Sequence, residues 1–252
     1  MKPYYSEDGI TIFCADCRDI LPSLPKVDLV LTDPPYGISH PTNYAARGRS
    51  VAAQCADYAP VHEDDSPFDP APWIQQPALL FGANYFADKL PPSSGWIVWD
   101  KMRPELLDQA TAELAWSNFV KGVRVFRHLW NGMIRASENA PLQHPTQKPV
   151  ALMRWILGLP WTPPGVILDP FMGSGTTLVA AKQLGRRAIG IEIEEKYCAI
   201  AVDRLRQSVL DFGPPRPATD EQMALLESSS EPPEGTDGEF TGPREKGILQ
   251  VG

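Results

Sequence analysis

The sequence lacks an apolar run of the roughly 18 residues that a membrane-spanning helix requires. It also lacks the apolar stretch of a signal peptide, because a proline, two tyrosines and acidic residues follow Lys2. Hydrophobic residues nevertheless make up 43% of the chain, which is enough to build a core. We therefore expect a soluble, intracellular globular protein with no membrane partner.

Cysteine is scarce, with four residues in a chain of 252, and its spacing does not fit a zinc site. Cys14 and Cys17 form one C-x-x-C pair, but Cys55 and Cys198 are isolated, and no second pair completes a set of ligands. The surrounding sequence shows no thioredoxin-like pattern. We expect reduced thiols and no metal ion.

The chain also lacks the basic excess that is common in nucleic-acid-binding proteins, since its formal net charge is −8. Residues 213–252 hold eight acidic and three basic residues and so contribute −5 of that charge. Phosphate contacts need a local basic face, which residues 1–212 can still supply. The Pro-, Gly- and Ser-rich composition of 213–252 predicts a disordered acidic tail after a single domain over 1–212.

Apolar patterning predicts an alternation of strands and helices, which favours an α/β fold with a mostly parallel sheet. Strands are expected at Ile10–Phe13, Val27–Thr32, Trp96–Trp99, Val123–Trp130, 166–168 and Ala188–Ile191. Helices are expected at Arg18–Leu24, Asn84–Leu90, Glu105–Trp116, Pro149–Leu157, 176–184 and Glu194–Leu210. The segment 37–73 has no clear period and is too long for an ordinary connection, which indicates a functional or mobile segment.

The segment from Val166 to Glu192 has the pattern of a β-α-β unit. A buried strand ends at Asp169, a loop with Gly173 and Gly175 follows, and a helix leads to a second strand that ends at Glu192. The glycines let the backbone approach a ligand, and an acid at that strand end can accept both hydroxyls of a ribose. This unit predicts a site for a nucleoside-bearing cofactor.

Two phosphate-binding motifs fit this unit poorly. The dinucleotide fingerprint needs a third glycine where the chain has Leu178, and the P-loop needs a lysine after Gly175 where it has Thr176. A sulfonium cofactor carries no phosphate, so both absences are consistent with S-adenosylmethionine. A nicotinamide-dependent oxidoreductase and a plain tight turn without a cofactor stay as disfavoured alternatives.

An Asp-Pro-Pro-Tyr segment, Asp33 to Tyr36, follows the apolar strand Val27–Thr32. The exocyclic amine of adenine or cytosine is a poor nucleophile, because its lone pair is delocalised into the ring. The Asp33 carboxylate and the Pro34 carbonyl can each accept one N–H of such an amine and direct its lone pair at a methyl group. Pro35 fixes the turn, and Tyr36 offers a ring for stacking. A base inside a duplex must be flipped out to reach them.

These motifs resemble those of the amino-group DNA methyltransferases that use S-adenosylmethionine. The family signatures are a (D/N/S)-P-P-(Y/F/W) tetrapeptide and an F-x-G-x-G loop, which match Asp33–Tyr36 and Phe171–Gly175. The segments 144–149 (HPTQKP) and 15–17 (ADC) are similar to two further family elements. The tetrapeptide precedes the glycine loop, as in the circularly permuted β group.

The resemblance implies a Rossmann-like seven-stranded methyltransferase sheet with helices on both faces. It places Thr146 and Lys148 near the methionine carboxylate of the cofactor and Asp16 near its adenine. The implied catalytic residues are Asp33, Pro34, Pro35 and Tyr36. The implied cofactor-binding residues are Asp16, Cys17, Asp33, Thr146, Lys148, Asp169, Phe171, Gly173, Ser174, Gly175, Thr176 and Glu192.

The resemblance implies double-stranded DNA as the substrate, in the cytoplasm of a bacterial or phage-infected cell. Aspartate at the first tetrapeptide position favours N6 of adenine, while N4 of cytosine and an inactive nucleic-acid-binding relative stay as alternatives. No large target-recognition insert is obvious, so the candidate DNA-contacting segments are 37–73 and 101–145. The candidate DNA-binding residues are Arg47, Arg49, Arg103, Arg124, Arg127 and Arg135. An RNA or protein substrate, a cognate restriction enzyme, and a monomeric or homodimeric state stay open.

Overall fold

A computed structural model describes residues 2–39, 62, 64–103, 110–131, 134–138, 144 and 146–207 of the protein. The described residues belong to one structural unit, Met1–Leu210. Arg47, Arg49 and the predicted tail over 213–252 lie outside the described residues. No helix in the described part of the chain is long and apolar enough to span a bilayer.

Eleven strands and four α-helices form the described structure. The strands are β1 (Tyr5–Glu7), β2 (Ile10–Cys14), β3 (Leu29–Thr32), β4 (Ala78–Phe81), β5 (Gly95–Asp100), β6 (Ala112–Ser117), β7 (Val123–Arg127), β8 (Trp130–Asn131), β9 (Ile134–Arg135), β10 (Ile167–Asp169) and β11 (Ala188–Glu192). The α-helices are α1 (Cys17–Ile20), α2 (Val150–Leu157), α3 (Thr176–Gln183) and α4 (Glu195–Gln207), and short 3-10 helices span Leu21–Ser23, Ala83–Tyr85 and Ala87–Lys89.

Nine of the strands form one sheet in the order β1-β2-β11-β10-β3-β4-β6-β5-β7, and β8 pairs with β9 in a separate hairpin. Only β1 and β6 run antiparallel to their neighbours in the large sheet. The mostly parallel α/β sheet that the sequence predicts is therefore present, and β1 and β7 extend the expected seven strands at its two edges. Strands β10 and β3 lie side by side near the centre, with Ile167 opposite Leu29 and Leu168 opposite Val30.

The side chains of the central strands alternate between two hydrophobic clusters, one on each face of the sheet. In β3, Leu29 and Leu31 face a cluster that includes residues of α2, α3 and α4. Val30 faces the second cluster, which contains residues of α1 and the 3-10 helices together with Phe68 and Trp73. Helical segments thus cover both faces, as predicted, and the strands have the near-continuous apolar sequences of a fully buried sheet.

Strand β6 corrects the helix predicted at Glu105–Trp116. Residues 104–109 lie outside the described part of the chain, but Ala112–Ser117 is extended and pairs with β4 on one side and β5 on the other. Two further predictions need smaller changes. Asn84–Leu90 forms two short 3-10 helices, and the strand predicted over Val123–Trp130 ends at Arg127.

Candidate active site

The two predicted loops leave the sheet side by side. Strands β3 and β10 are parallel neighbours, so their carboxyl ends lie at the same edge of the sheet. Asp33 directly follows β3, and Asp169 is the last residue of β10. The hydroxyl of Thr32 donates a hydrogen bond to Asp169 Oδ1 at 2.6 Å, and both side chains are buried. Burial raises the pKa of Asp169 to about 6, although hydrogen bonds from Thr177 and Thr32 oppose the shift.

The Asp33 carboxylate is engaged through both of its oxygens. Tyr36 Oη donates to Oδ1, and Lys148 Nζ donates to Oδ2. Burial raises the pKa of Asp33, and the neighbouring Lys148 ammonium opposes that rise. The side chain of Lys148 is only 5% exposed, so this cation lies inside the protein beside the predicted catalytic carboxylate.

Glu113 joins this charged group from strand β6. Its Oε1 lies 2.5 Å from Lys101 Nζ, and its Oε2 lies 3.2 Å from Lys148 Nζ. Although burial acts to raise the pKa of Glu113, Lys148 and Lys101 lower it to about 2. Two carboxylates and two ammonium groups therefore form one cluster at the site. Glu113 is not among the predicted site residues, because the sequence predicts a helix for its segment.

Tyr36 is positioned by contacts from two other segments, residues 82–85 on its ring and Asp64 on its backbone. It stacks on Tyr85 with ring centroids 5.1 Å apart and an interplanar angle of 17°. It also packs against the backbone at Gly82, where an added Cβ would lie 2.0 Å from Tyr36 Cε1. Asp64 Oδ1 accepts hydrogen bonds from the backbone N–H groups of Tyr36 and Gly37, both at 2.9 Å. Asp64 lies in the predicted 37–73 segment, to which this contact gives a structural role.

Replacement of Gly82 by alanine is expected to destabilise the protein by displacing the Tyr36 ring. Gly82 has φ +66, so alanine adds backbone strain as well as the contact with Tyr36. Gly122 is a matched control, because it has φ +71 but open space around its missing Cβ. The Tm of Gly82→Ala should be lower than that of Gly122→Ala by at least about 3 °C in a thermal melt. Equal melting temperatures would show that the Tyr36 ring does not depend on Gly82.

Glu192 fixes the glycine loop at the end of β11. Its Oε2 accepts a hydrogen bond from Gly173 N at 3.0 Å, and its Oε1 accepts one from Glu194 N at 2.8 Å. Burial raises the pKa of Glu192, and these backbone N–H groups oppose the rise. Gly173 has φ +50, which is a conformation that favours glycine. Gly175 has φ +77 and is needed for packing as well, since a Cβ there would lie 2.7 Å from Ala201 Cβ.

Ser174 and Thr176 are held by Arg204, a residue that the sequence analysis did not identify. Arg204 Nη1 donates to Ser174 O at 2.7 Å, and to Ser174 Oγ and Thr176 Oγ1, both at 3.0 Å. Its Nη2 lies 3.1 Å from Glu138 Oε2, and Glu138 Oε1 accepts from Val150 N at the start of α2. This partly buried network links α4, the glycine loop and α2.

The other predicted cofactor residues lie around the same sheet edge. Asp16 follows β2, whose Cys14 pairs with Glu192 in β11, and its carboxylate caps α1 and pairs with Arg18 at 2.5 Å. The next residue, Cys17, opens α1, and burial raises its pKa to about 11.

Thr146 and Phe171 contact neighbouring rings. Thr146 Oγ1 lies 3.2 Å from His144 Nδ1, and the His144 ring packs on Tyr197 with centroids 4.4 Å apart. Phe171 packs edge-on against Trp73, with centroids 5.4 Å apart. Among the described residues, no group of three or more His, Cys, Asp or Glu is arranged to hold a metal ion.

The predicted DNA-binding arginines in the described ranges contact different parts of the protein. Arg103 Nε donates to Trp130 O at 3.0 Å, and Arg127 lies 3.5 Å from Asp100 with 70% of its side chain exposed. Both line a cavity of about 540 Å³. Arg124 lies over Trp161, and Arg135 lies over Trp130. Their contact with DNA stays a prediction.

The central parallel sheet and the two adjoining loops define a Rossmann-like α/β enzyme. Residues 97–203 match the family model described as DNA methylase. Type II methyltransferase M2.LlaDCHI of Lactococcus lactis subsp. cremoris is 27% identical over 251 residues, which cover 82% of this chain and 93% of the relative. M2.DpnII of Streptococcus pneumoniae is 27% identical over 250 residues, which cover 81% and 92%. The chain belongs to the N6/N4 DNA methylase family.

The chain is also similar to solved structures of methyltransferases. M1.HpyAVI, solved as a complex with SAM, is 30% identical, with 78% of this chain and 100% of that chain covered and a TM-score of 0.48. The PvuII DNA methyltransferase, described as cytosine-N4-specific, is 15% identical, with 90% and 94% covered and a TM-score of 0.53. The likeness to the PvuII enzyme shows the fold. The predicted fold class is thus confirmed, and the family model and the relatives above confirm the predicted family.

Proposed function

We propose that the protein transfers a methyl group from S-adenosylmethionine to the exocyclic amino group of a base in DNA, with adenine N6 as the favoured target. One observation carries the proposal. The Asp33–Tyr36 turn and the Gly173 loop leave adjacent parallel strands at the same edge of the sheet, and Thr32 and Asp169 join the two strand ends by a hydrogen bond. An amine acceptor and a cofactor loop are therefore close enough to serve one reaction.

The side chains around the glycine loop fit S-adenosylmethionine. Each oxygen of Glu192 accepts one backbone N–H, and a carboxylate has lone pairs left to accept ribose hydroxyls. The Lys148 ammonium is suited to a carboxylate such as that of methionine, and Asp16 lies at the end of β2, next to β11. When bound, the cofactor supplies an electrophilic methyl group on a sulfonium.

The Asp33 turn supplies the acceptors for the amine. We assign Asp33 and the carbonyl of Pro34 to accept the two N–H groups of the target amine, so that its lone pair points at the methyl group. Tyr36 contacts the flipped base. Methyl transfer is then a direct in-line displacement, with no covalent bond between the enzyme and the base.

Adenine is favoured by the aspartate that opens the tetrapeptide, and cytosine N4 is the alternative target. Both reactions put the same demands on Asp33, because each base presents an exocyclic amine on a ring. A cognate restriction enzyme is a further proposed partner, since the relatives above are named type II methyltransferases.

Expression in a host that lacks DNA methylation tests the target. Mass spectrometry of the digested DNA should detect N6-methyladenine, and sequencing that reports modified bases directly should locate it in one short sequence. The Asp33→Ala variant is the matched control, which should leave the DNA unmodified. Detection of N4-methylcytosine would show that the target is cytosine and not adenine. DNA that stays unmodified in the presence of the wild-type protein would overturn the proposal.

S-adenosylhomocysteine is expected to raise the Tm of the protein, whereas NAD is not. A ligand at about 100 times its Kd stabilises the folded state by about 2.7 kcal/mol. For a chain of this size that stabilisation corresponds to a rise of roughly 5–10 °C. Thermal melts with each ligand separate the methyltransferase from an oxidoreductase, because a rise with NAD alone would favour the second class.

A further inference from the structure

Glu113 presents a second carboxylate to the Lys148 ammonium. Lys148 Nζ donates to Asp33 Oδ2 and at the same time lies 3.2 Å from Glu113 Oε2. Glu113 reaches this position from β6, the strand between β4 and β5, and Lys101 fixes its other oxygen at 2.5 Å. The ammonium is thus within reach of two partly buried carboxylates that come from different strand ends.

The two carboxylates differ in how they are satisfied. Both oxygens of Asp33 accept hydrogen bonds, from Tyr36 and Lys148. Glu113 Oε2 is buried, and within the described ranges it has no hydrogen-bond partner, since its contact with Lys148 is a close ion pair without hydrogen-bond geometry. A buried carboxylate oxygen without a donor is costly, so this atom is a ready acceptor for an ammonium that moves towards it.

The proposed reaction requires Asp33 to accept an N–H from the base, and a lysine on Oδ2 competes for that oxygen. A buried ammonium that left Asp33 with no other anion nearby would be strongly destabilised. Independently of the contact with the methionine carboxylate proposed above, Glu113 removes this obstacle, because Lys148 stays paired when it turns away from Asp33. Although burial opposes its charge, Asp33 and Glu113 raise the pKa of Lys148, so the group moves as a cation and no proton is transferred.

We propose that Glu113 is a positioning residue, which accepts the Lys148 ammonium at Oε2 when the target amine binds and so frees Asp33 Oδ2 for that amine. The inference rests on the proposed function, since it assigns a role to Glu113 in the same reaction. Glu113 does not touch the base in this scheme. It acts through Lys148, and its effect is to make the acceptor available.

The movement can be tested directly in a crystal structure. The full-length protein is crystallised with S-adenosylhomocysteine and an unmodified duplex that contains the sequence the enzyme methylates. We expect the base amine on Asp33 Oδ2 and Lys148 Nζ hydrogen-bonded to Glu113 Oε2. A structure in which the base amine binds Asp33 while Lys148 remains bound to Oδ2 would overturn the role of Glu113. It would leave the proposed function intact. A cofactor or base bound away from Asp33 would overturn the proposed function, and this inference with it.

The Glu113→Gln variant tests the same inference in solution. Its amide keeps the size of the side chain but binds the ammonium less strongly, so kcat should fall about tenfold or more. The KM for S-adenosylmethionine and the Kd for S-adenosylhomocysteine, measured by calorimetry, should change by less than about threefold, since cofactor contacts are kept.

Asp8→Asn is the matched control, because it removes a carboxylate from an ion pair with Lys182, 3.0 Å away at another part of the fold. It should keep the wild-type kcat. An unchanged kcat in Glu113→Gln would contradict the inference. A fall of kcat and cofactor affinity by the same factor would also contradict it, because it would indicate a structural role for Glu113. If the variant does not fold, the crystal structure still decides the question.

Discussion

Replacement of Asp33 by alanine is expected to abolish methyl transfer while leaving cofactor binding mostly intact. The variant loses the carboxylate that holds the target amine, and the loss of one preorganised hydrogen-bonding group in an active site lowers kcat by roughly 100-fold or more. The cofactor loop is held by Glu192 and Arg204, which do not contact Asp33. Single-turnover methylation rates and calorimetry with S-adenosylhomocysteine measure the two properties separately.

The structure adds a control that this experiment needs. Asp33→Ala leaves the buried Lys148 with Glu113 as its remaining carboxylate, so a part of the loss could come from local rearrangement. Asp33→Asn keeps the shape of the side chain and one acceptor oxygen, so it should keep more activity than Asp33→Ala if the alanine variant fails because the acceptor is missing. Asp203→Ala, on the exposed side of α4, should behave like the wild type. Methylation by Asp33→Ala at a near wild-type rate would show that another group holds the amine.

The two loops of the site could be predicted because each follows a strand with a nearly continuous apolar sequence. Such strands belong in a parallel sheet that is covered on both faces. Val27–Thr32 and 166–168 were predicted on this basis, and β3 and β10 occupy these positions as parallel neighbours. The carboxyl ends of parallel neighbours meet at one edge, so the pairing of β3 with β10 in the structure brings Asp33 and Asp169 together.

Glu113 could not be predicted because strand β6 has no local signal. Its segment, A-E-L-A-W, is rich in residues that favour helices, and its extended conformation is imposed by pairing with both β4 and β5. That pairing depends on contacts with residues that are distant in sequence. The position of Glu113 beside Lys148 therefore follows only from the pairing of the strands in the complete sheet.

Asp64 and Arg204 show the same limit for polar contacts. Asp64 binds the backbone after Tyr36 from a segment without periodicity, and Arg204 reaches Glu138 across 66 residues of sequence. A charged residue on an amphipathic helix is usually solvated, so its sequence position does not reveal a buried role. The polar residues that support the site are thus harder to predict than the loops that form it.

Replacement of Arg204 by methionine is expected to lower stability and cofactor affinity together. Arg204 is 11% exposed, and the variant removes the donors to Ser174 O, Ser174 Oγ and Thr176 Oγ1 while leaving Glu138 without its cation. Breaking a partly buried ion pair at one partner costs about 2 kcal/mol, which corresponds to a fall in Tm of roughly 4–8 °C for a chain of this size. Thermal melts and calorimetry with S-adenosylhomocysteine measure both effects.

Arg206→Met provides the comparison, because Arg206 lies two residues further along α4 and is exposed. It removes the same charge and adds the same side chain, so helix propensity and net charge change equally in the two variants. The Tm and the Kd of Arg206→Met should stay close to those of the wild type. Arg204 holds the glycine loop through Ser174. If Arg204→Met lost stability but bound S-adenosylhomocysteine with wild-type affinity, the ion pair with Glu138 would matter for folding and not for the cofactor loop. The loop would then be positioned by Glu192 and its own glycines alone.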